Sequence, residues 1–551
     1  MGLDKRMKNR IEQIDKNLDA IVKNPYQKEK IEKKPSRFPS WARWAMPLSG
    51  ALLTCSLALG IVLPVALKGN NEQGPSGSVG YDAVDSRGST LGDKSNNSKE
   101  SAPRASSDDD HGNPNVYGEY EDGTYTKENL NCLAAPNRQT VKSVVNRTMS
   151  SATYASYKAF AKKFVTLAMN TNNPVSQEKS LAVSIPDAYL CLAITGIISN
   201  QNCLQDVLDY LELGSEQALK DAASEIVATL GTMTKDQFGN DVGGLNLNSI
   251  WLNPQKVSLL EQRDAELYQD LKNIFDASIY LEGLTSNRAK QYIAENGLPG
   301  KPIPDIKLSK DADPAALSVM STYYNIDVFG PDQEMYEDQF RGGAHTMDYT
   351  FGGHTKKVDY IERSSLYSCV YENEDFYGAS MSLSKSDIKF FLPKSETMMP
   401  SAIFEDVLDE DYAPMAITYT EEGQELSTTS YTVDISAPYF FMKNDVKLKQ
   451  ASLCPILPHL TSTGAGSRLV SEELFLESIE QFSVMRFDYN GFYSCSATVA
   501  TMEGAVQPGL ATSFVLDHPF VFETCRDISV SGVERSIPTV IGEIVDPNYL
   551  V

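Results

Sequence analysis

Residues 491–519 read Gly-Phe-Tyr-Ser-Cys-Ser-Ala-Thr-Val-Ala-Thr-Met-Glu-Gly-Ala-Val-Gln-Pro-Gly-Leu-Ala-Thr-Ser-Phe-Val-Leu-Asp-His-Pro, and the fold turns on how this stretch is taken. Strand-like segments flank it, Ile479 to Phe487 before and Phe514 to Phe522 after. From Tyr489 to Ser513 the chain carries one charge, Glu503, and has no helical period. A connection that long in a compact domain is either a misassignment or a functional loop. Its first half, Ser494 to Val499, is small, uncharged and free of proline, so it can enter a sheet as a strand. Its second half contains Gly504, Pro508 and Gly509, which favour an exposed, bent chain.

Just downstream stand Asp-His-Pro-Phe-Val-Phe at 517–522 and Pro-Thr-Val-Ile-Gly-Glu-Ile-Val-Asp-Pro at 538–547. This tail resembles the C-terminal signature of serpins. Weaker likenesses follow in the right order upstream: Val183-Ser184-Ile185-Pro186-Asp187-Ala188, Asn248-Ser249-Ile250-Trp251-Leu252, Tyr292-Ile293-Ala294 with Gly300-Lys301, and Pro438-Tyr439-Phe440. The resemblance implies an α+β serpin fold over residues 137–551: about three β-sheets, surrounding helices and an exposed reactive loop that baits a protease. Serpin loop insertion is an established example of strand addition that releases stored strain.

The chain has 551 residues and a net charge of −24, which argues against a nucleic-acid partner. The charge is uneven: residues 1–44 hold twelve Lys/Arg and six Asp/Glu, a net of +6. This basic tail precedes an uncharged run, Ala45 to Leu67. At ~1.5 Å per residue the run spans about 35 Å, enough for a bilayer core. Trp41 and Trp44 stand at its front edge, and Lys33, Lys34, Arg37 and Arg43 precede it. We read 45–67 as an uncleaved signal anchor with a cytoplasmic N-terminus, in preference to a cleaved secretory signal. Residues 68–136, rich in Gly, Ser, Asn and Asp, read as a disordered acidic linker. The serpin domain is then extracellular, and the topology suggests a bacterial-type protein.

Within the globular part, helical spacing predicts helices over Tyr154–Met169, Leu181–Ile198 (entered after Ser184), Leu204–Leu213, Glu216–Leu230, Gln255–Phe275 and Asn287–Asn296. Strands are expected at Leu245–Leu252, Ala316–Tyr324, Thr346–Phe351, Leu366–Tyr371, Phe376–Leu383, Ile388–Leu392 and Tyr431–Phe441, then at the C-terminal segments. Helices first and strands later indicate α+β. Seven Cys follow the apolar run, scattered and odd in number, so neither a zinc site nor a dense disulfide scaffold is indicated; most read as small buried residues.

The resemblance assigns roles residue by residue. The loop hinge is Gly491, Phe492, Tyr493, Ser494, Cys495, Ser496 and Ala497. The family's glycine and its small residues are kept, but Phe492 stands where Thr is usual. In strand alternation Phe492, Ser494, Ser496, Thr498 and Ala500 face inward. An oversized Phe492 is expected to overpack the core by ~1–3 kcal/mol and slow insertion. The sheet-opening polar cluster maps to Ser184, Asp187, Met320 and Gln481, where Ser, Ser, Asn and His are usual. Counting from Gly491 puts the reactive bond near Ala505-Val506; counting back from Pro519 puts it near Pro508. Candidates are Gly504, Ala505, Val506 and Gln507, with an elastase- or subtilisin-like target, since no Lys or Arg lies between 492 and 513.

No His-Glu-x-x-His, Gly-x-Ser-x-Gly or phosphate-loop motif occurs, so neither an enzyme nor a cofactor or metal site is indicated. The expected function is inhibition of a serine, or a cysteine, endopeptidase by loop cleavage, covalent trapping and loop insertion at the cell surface. The alternative is a non-inhibitory serpin-fold protein used for surface binding or adhesion.

Overall fold

Helices form where an apolar stripe recurs at helical spacing, and several begin at a capping side chain. In the computed structural model Tyr157, Phe160, Ala161, Phe164, Val165 and Ala168 line the buried face of α1 (Ser151–Asn172). A short strand, β3 (Leu181–Ser184), leads directly into α2 (Ile185–Ile197), with Pro186 in its first turn. The helix is thus entered after Ser184, as expected, and the first four residues of the apolar run form a strand. Asn200 caps α3 (Gln201–Tyr210) and Ser215 caps α4 (Glu216–Leu230). Only Ala265–Asn273 is helical (α5) within the predicted stretch 255–275, because Asp264 accepts from the Leu267 amide and starts the helix there. The residues before it bond instead to the segment around Leu469. Thr285 caps α6 (Ser286–Asn296).

The structure describes residues 132–135, 148–172, 179–231, 233–235, 241–262, 264–329, 345–352, 354–368, 370–383, 386–410, 412–421, 424–429, 431–488, 491–494 and 511–550. The basic tail 1–44, the apolar run 45–67 and the linker up to residue 131 lie outside the described residues. Among the described residues no helix is long and apolar enough to cross a membrane. Linker residues Cys132–Ala134 form β1, an edge strand of the first sheet.

The other early strands are β2 (Thr148–Met149), β4 (Met233–Lys235), β5 (Asp241–Leu252), β6 (Ala277–Tyr280) and β7 (Leu317–Val328). The middle of the chain supplies β8 (His345–Phe351), β9 (His354–Ser368), β10 (Tyr371–Glu372), β11 (Phe376–Ser382) and β12 (Asp387–Pro393). After α7 (Phe404–Asp409) come β13 (Ala413–Pro414), β14 (Ile417–Glu421), β15 (Gln424–Thr428), β16 (Tyr431–Pro438) and β17 (Phe440–Lys449). Following α8 (Gln450–Leu453) come β18 (Ser478–Asp488), β19 (Gly491–Ser494), β20 (Ala511–Val515), β21 (Phe520–Val530) and β22 (Val533–Ile544).

These strands form three main sheets. Sheet A runs β1-β6-β5-β7-β19-β18-β17, sheet B runs β13-β10-β11-β12-β21-β22-β3, and sheet C runs β20-β16-β9-β8. The β14–β15 hairpin, absent from the sequence reading, stands as a two-stranded sheet. Two predicted single strands are each two. Tyr431–Phe441 breaks between Pro438 and Phe440, so that β16 joins sheet C and β17 joins sheet A. Phe514–Phe522 breaks likewise around Pro519, dividing β20 in sheet C from β21 in sheet B. Proline lacks the N–H that a continuous ladder needs, so the chain turns a corner there.

Three apolar clusters hold the layers. One packs α1 to α4 against the sheets. The second lies among the sheets and is rich in aromatics: Phe390, Phe440, Phe487, Phe492, Phe520 and Phe522. The third covers the opposite face of sheet A, where Trp251 stacks on Tyr280 at 4.3 Å and Tyr292 of α6 meets both edge-on. Of the cysteines, Cys203 and Cys525 are buried and Cys191 half-buried, but Cys132 and Cys454 are exposed, unlike the buried role expected of most.

Candidate functional site

Gly491 turns the chain from β18 back into sheet A. Its φ is +122°, and a Cβ there would meet the Asp327 carbonyl oxygen and, at 2.7 Å, the Val328 Cα. Only glycine meets both demands without strain. The next residues form β19, bonded on both sides. Gly491, Phe492, Tyr493 and Ser494 face Asp488, Phe487, Arg486 and Met485 of β18. On the other side they face Val328, Asp327, Ile326 and Asn325 of β7. Both ladders are antiparallel.

β19 is described as far as Ser494, and its neighbours extend well past that level. β7 reaches back to Leu317 and β18 to Ser478. Among the described residues no ladder joins β7 directly to β18; β19 alone stands between them. Two strands flanking a third lie about 10 Å apart. The line of β19, prolonged past Ser494, therefore runs between β7 and β18 as the course of one further strand.

The side chains of β19 alternate as a strand requires. Phe492 is 1% exposed and lies in the aromatic cluster on the sheet B side, its ring 6.3 Å from Phe522. The bulk expected to obstruct insertion is thus housed within the core. Tyr493 points to the other face, and its hydroxyl donates to the Pro302 carbonyl at 2.7 Å. Ser494 is fully buried and its hydroxyl has no protein partner among the described residues. Cys495, Ser496, Ala497, Gly504, Ala505, Val506 and Gln507 lie outside the described residues.

Beneath the prolonged line of β19 sits a polar cluster. The Gln481 amide on β18 bridges to the β3–α2 junction: Ser184 N–H donates to Oε1 at 2.8 Å, and Nε2 donates to the Ser184 carbonyl at 2.7 Å and to Asp187 Oδ2 at 3.2 Å. Burial pushes the Asp187 carboxyl up to about 7, against the opposing pull of Ser184 and Gln481. Asp187 Oδ1 and the Ser184 hydroxyl have no hydrogen-bond partner of good geometry among the described residues. Ser184, Asp187 and Gln481 are therefore brought together, and Met320 is not. Met320 packs on the opposite face of sheet A, with the Trp251 cluster. On β7 the residues facing the α1–α4 side include Leu317, Val319, whose carbonyl takes the Cys191 thiol, and Tyr323, whose hydroxyl donates to Leu230 O. A match displaced by one residue along a strand changes the face, and this correction is of that kind.

The sequence reading missed several buried polar groups on these strands. Asn325 of β7 lies opposite Ser494, fully buried, with both amide atoms unpartnered among the described residues; Ser483 on β18 and Asn246 on β5 are similar. The signal for them was an Asn inside the apolar run Tyr323-Tyr324-Asn325-Ile326. His518 has a structural setting, its ring held between Asp517 Oδ1 at 2.8 Å and the Pro393 carbonyl at 3.0 Å.

Neither a family model nor a curated protein matches the sequence. Solved structures match the fold. Serpin48 of the insect Tenebrio molitor superposes with TM-score 0.51 at 14% identity, covering 71% of this chain and 97% of that one. Arabidopsis AtSerpin1, in its native stressed conformation, gives 0.50 at 15%, covering 72% and 99%. Human thyroxine-binding globulin in complex with thyroxine gives 0.50 at 15%, covering 72% and 100%. The chain has the serpin fold: α+β, with three sheets, surrounding helices and a long connection between sheet A and sheet C.

Proposed function

We propose that the protein is a serpin-type inhibitor of serine endopeptidases, with cysteine endopeptidases as a second target class. It supplies no catalytic group. The target's nucleophile opens the peptide bond, the amine of the C-terminal side is expelled from the acyl carbon as a new amino terminus while β20 to β22 keep that side in the fold, and the acyl ester stays on the side that begins at Gly491. That side then enters sheet A behind β19. The observation that carries this reading is β19 itself, the first four loop residues standing as a strand between β7 and β18. Each inserted residue offers an N–H and a C=O to flanking strands, at about 0.5–1.5 kcal/mol per hydrogen bond. The gain accumulates along the strand and opposes hydrolysis of the ester. The bond is cut between Gly504 and Gln507 by an elastase- or subtilisin-like protease. The protein works at the cell surface of a bacterium, held by the apolar run 45–67 and the acidic linker.

The test is to incubate the full chain, in mild detergent, with elastase or subtilisin, run a denaturing gel, and map cuts by mass spectrometry. A covalent adduct with a cut inside 504–507 and a large rise in melting temperature is expected. Clean cleavage with no adduct and no thermal gain sinks the reading. A second reading, a non-inhibitory surface-binding or adhesion protein, is favoured by the altered cluster around Asp187, whose carboxyl burial raises to about 7 beneath the sheet. The likeness to thyroxine-binding globulin with thyroxine supports a binding role on this fold.

A further inference from the structure

An open cleft of about 730 Å³ runs along the outer stripe of α1 from Ala159 to Asn170. At ~1.5 Å rise per residue it is about 17 Å long. Asp209, Tyr210 and Glu212 at the end of α3 wall it, with Glu405 of α7 and Ile456 beyond α8. No lining residue belongs to a strand, to the loop or to the cluster around Asp187. The floor is apolar: Leu167 and Ile456 are half-buried and pack on the core beneath. The stems of Lys162 and Lys163 add methylene surface. The rim is acidic. Lys162 holds Glu405 at 2.8 Å and Asp409 at 2.7 Å, and Lys163 holds Glu212 at 2.6 Å. With Asp209, four acids face two lysines, a net of −2. Among the described residues the Asp209 carboxylate takes the Gln205 amide at 2.7 Å and no cation. Two local preferences are overridden at this wall. Asp209 stands in the last turn of α3, at the negative end of the helix dipole, where no basic residue offsets it. Glu212 has φ +56°, in the left-handed region that favours glycine.

We infer that this cleft binds a small hydrophobic amine, with the apolar body laid against Leu167 and Ile456 and the ammonium donating to Asp209. The volume suits a single small ligand. The cation it brings is the one that the rim lacks, and an anion of the same shape meets acids instead. One charge pair at a solvent-exposed edge contributes little by itself, so burial of the body carries the affinity and Asp209 sets the choice of head group. The inference goes beyond both functional readings, because it needs neither the loop nor the opening of sheet A.

The test uses the full chain in lipid nanodiscs, with empty nanodiscs subtracted, and the variants Asp209→Asn and Ile456→Ser. Octylamine, octanoate and octanol, matched in their apolar part, are titrated at pH 7 by calorimetry and saturation-transfer NMR. Octylamine is expected to bind with Kd on the order of 0.1–1 mM, about tenfold tighter than octanoate. Asp209→Asn is expected to weaken octylamine about threefold to fivefold at low salt and to leave octanol unchanged, the difference fading at ~0.5 M salt. Its melting temperature should not fall, since an acid leaves the negative end of a helix. Ile456→Ser is expected to weaken octylamine and octanol alike. Should Ile456→Ser fail to fold, Asp209→Asn and the salt series decide. Equal octylamine affinity in the wild type and Asp209→Asn overturns the inference, as does octanoate bound as tightly as octylamine. Absence of octylamine binding up to ~5 mM overturns it too.

Discussion

Replacing Asp187 by Asn removes the carboxyl that lies against Gln481 and Ser184 beneath sheet A. The wild-type group is raised from 3.8 to about 7, first of all by burial. A carboxyl raised on folding favours the folded state while it is protonated. Its contribution is complete below the unfolded value and is lost as pH rises through the folded one. Each unit is worth ~1.36 kcal/mol, so the full effect is about 4 kcal/mol, of which about 3 kcal/mol falls between pH 5 and pH 8. Three neighbours stay neutral throughout this window: burial pushes Cys191 up to about 12 and raises Tyr157 and Tyr323 above the ordinary phenol value. Arg526 faces Tyr323, and a guanidinium keeps its charge throughout this range. The substituted amide cannot ionise. Urea unfolding of both proteins at the two pH values should therefore show Asp187→Asn gaining about 3 kcal/mol on the wild type at pH 8 relative to pH 5. Carboxylates elsewhere whose values are lowered, such as Asp264 and Asp305, act alike in both proteins and cancel. A difference between the two proteins that stays constant from pH 5 to pH 8 would disprove this linkage.

Two further substitutions probe the same region. Gly491→Ala forces a side chain into a positive-φ position against the Asp327 and Val328 backbone; a loss of at least about 2 kcal/mol is expected, with faster exchange at 492–494, and an unchanged melting temperature would contradict it. Gln481→Leu keeps the volume but leaves the Ser184 N–H and carbonyl unpaired; urea titration at pH 5 should show a loss of ~2–4 kcal/mol, and a neutral result would mean that water replaces the amide.

Much of the local structure was legible in the sequence. The apolar stripe of Phe160, Phe164 and Ala168 marks a helix whatever it packs against, because spacing alone sets which residues share a face. Ser184, Asp187 and Gln481 were legible as a group through the family likeness. Met320 was not placed correctly, because alternation has a period of two and one residue of slip reverses the face. The corners at Pro438 and Pro519 were also hidden. Each run is largely apolar, and only the destination of its two halves shows that they belong to different sheets.

By itself the amino-acid order determined the helices-then-strands succession, the small uncharged run after Gly491 and the inward alternation of Phe492 with Ser494, since each is a property of neighbours along the chain. Tertiary structure alone decided that β19 lies between β7 and β18, that the Phe492 ring rests near Phe522, and that Tyr493 reaches Pro302. Those partners are far apart in sequence, and which of them meet depends on the packing of whole sheets, which periodicity does not encode.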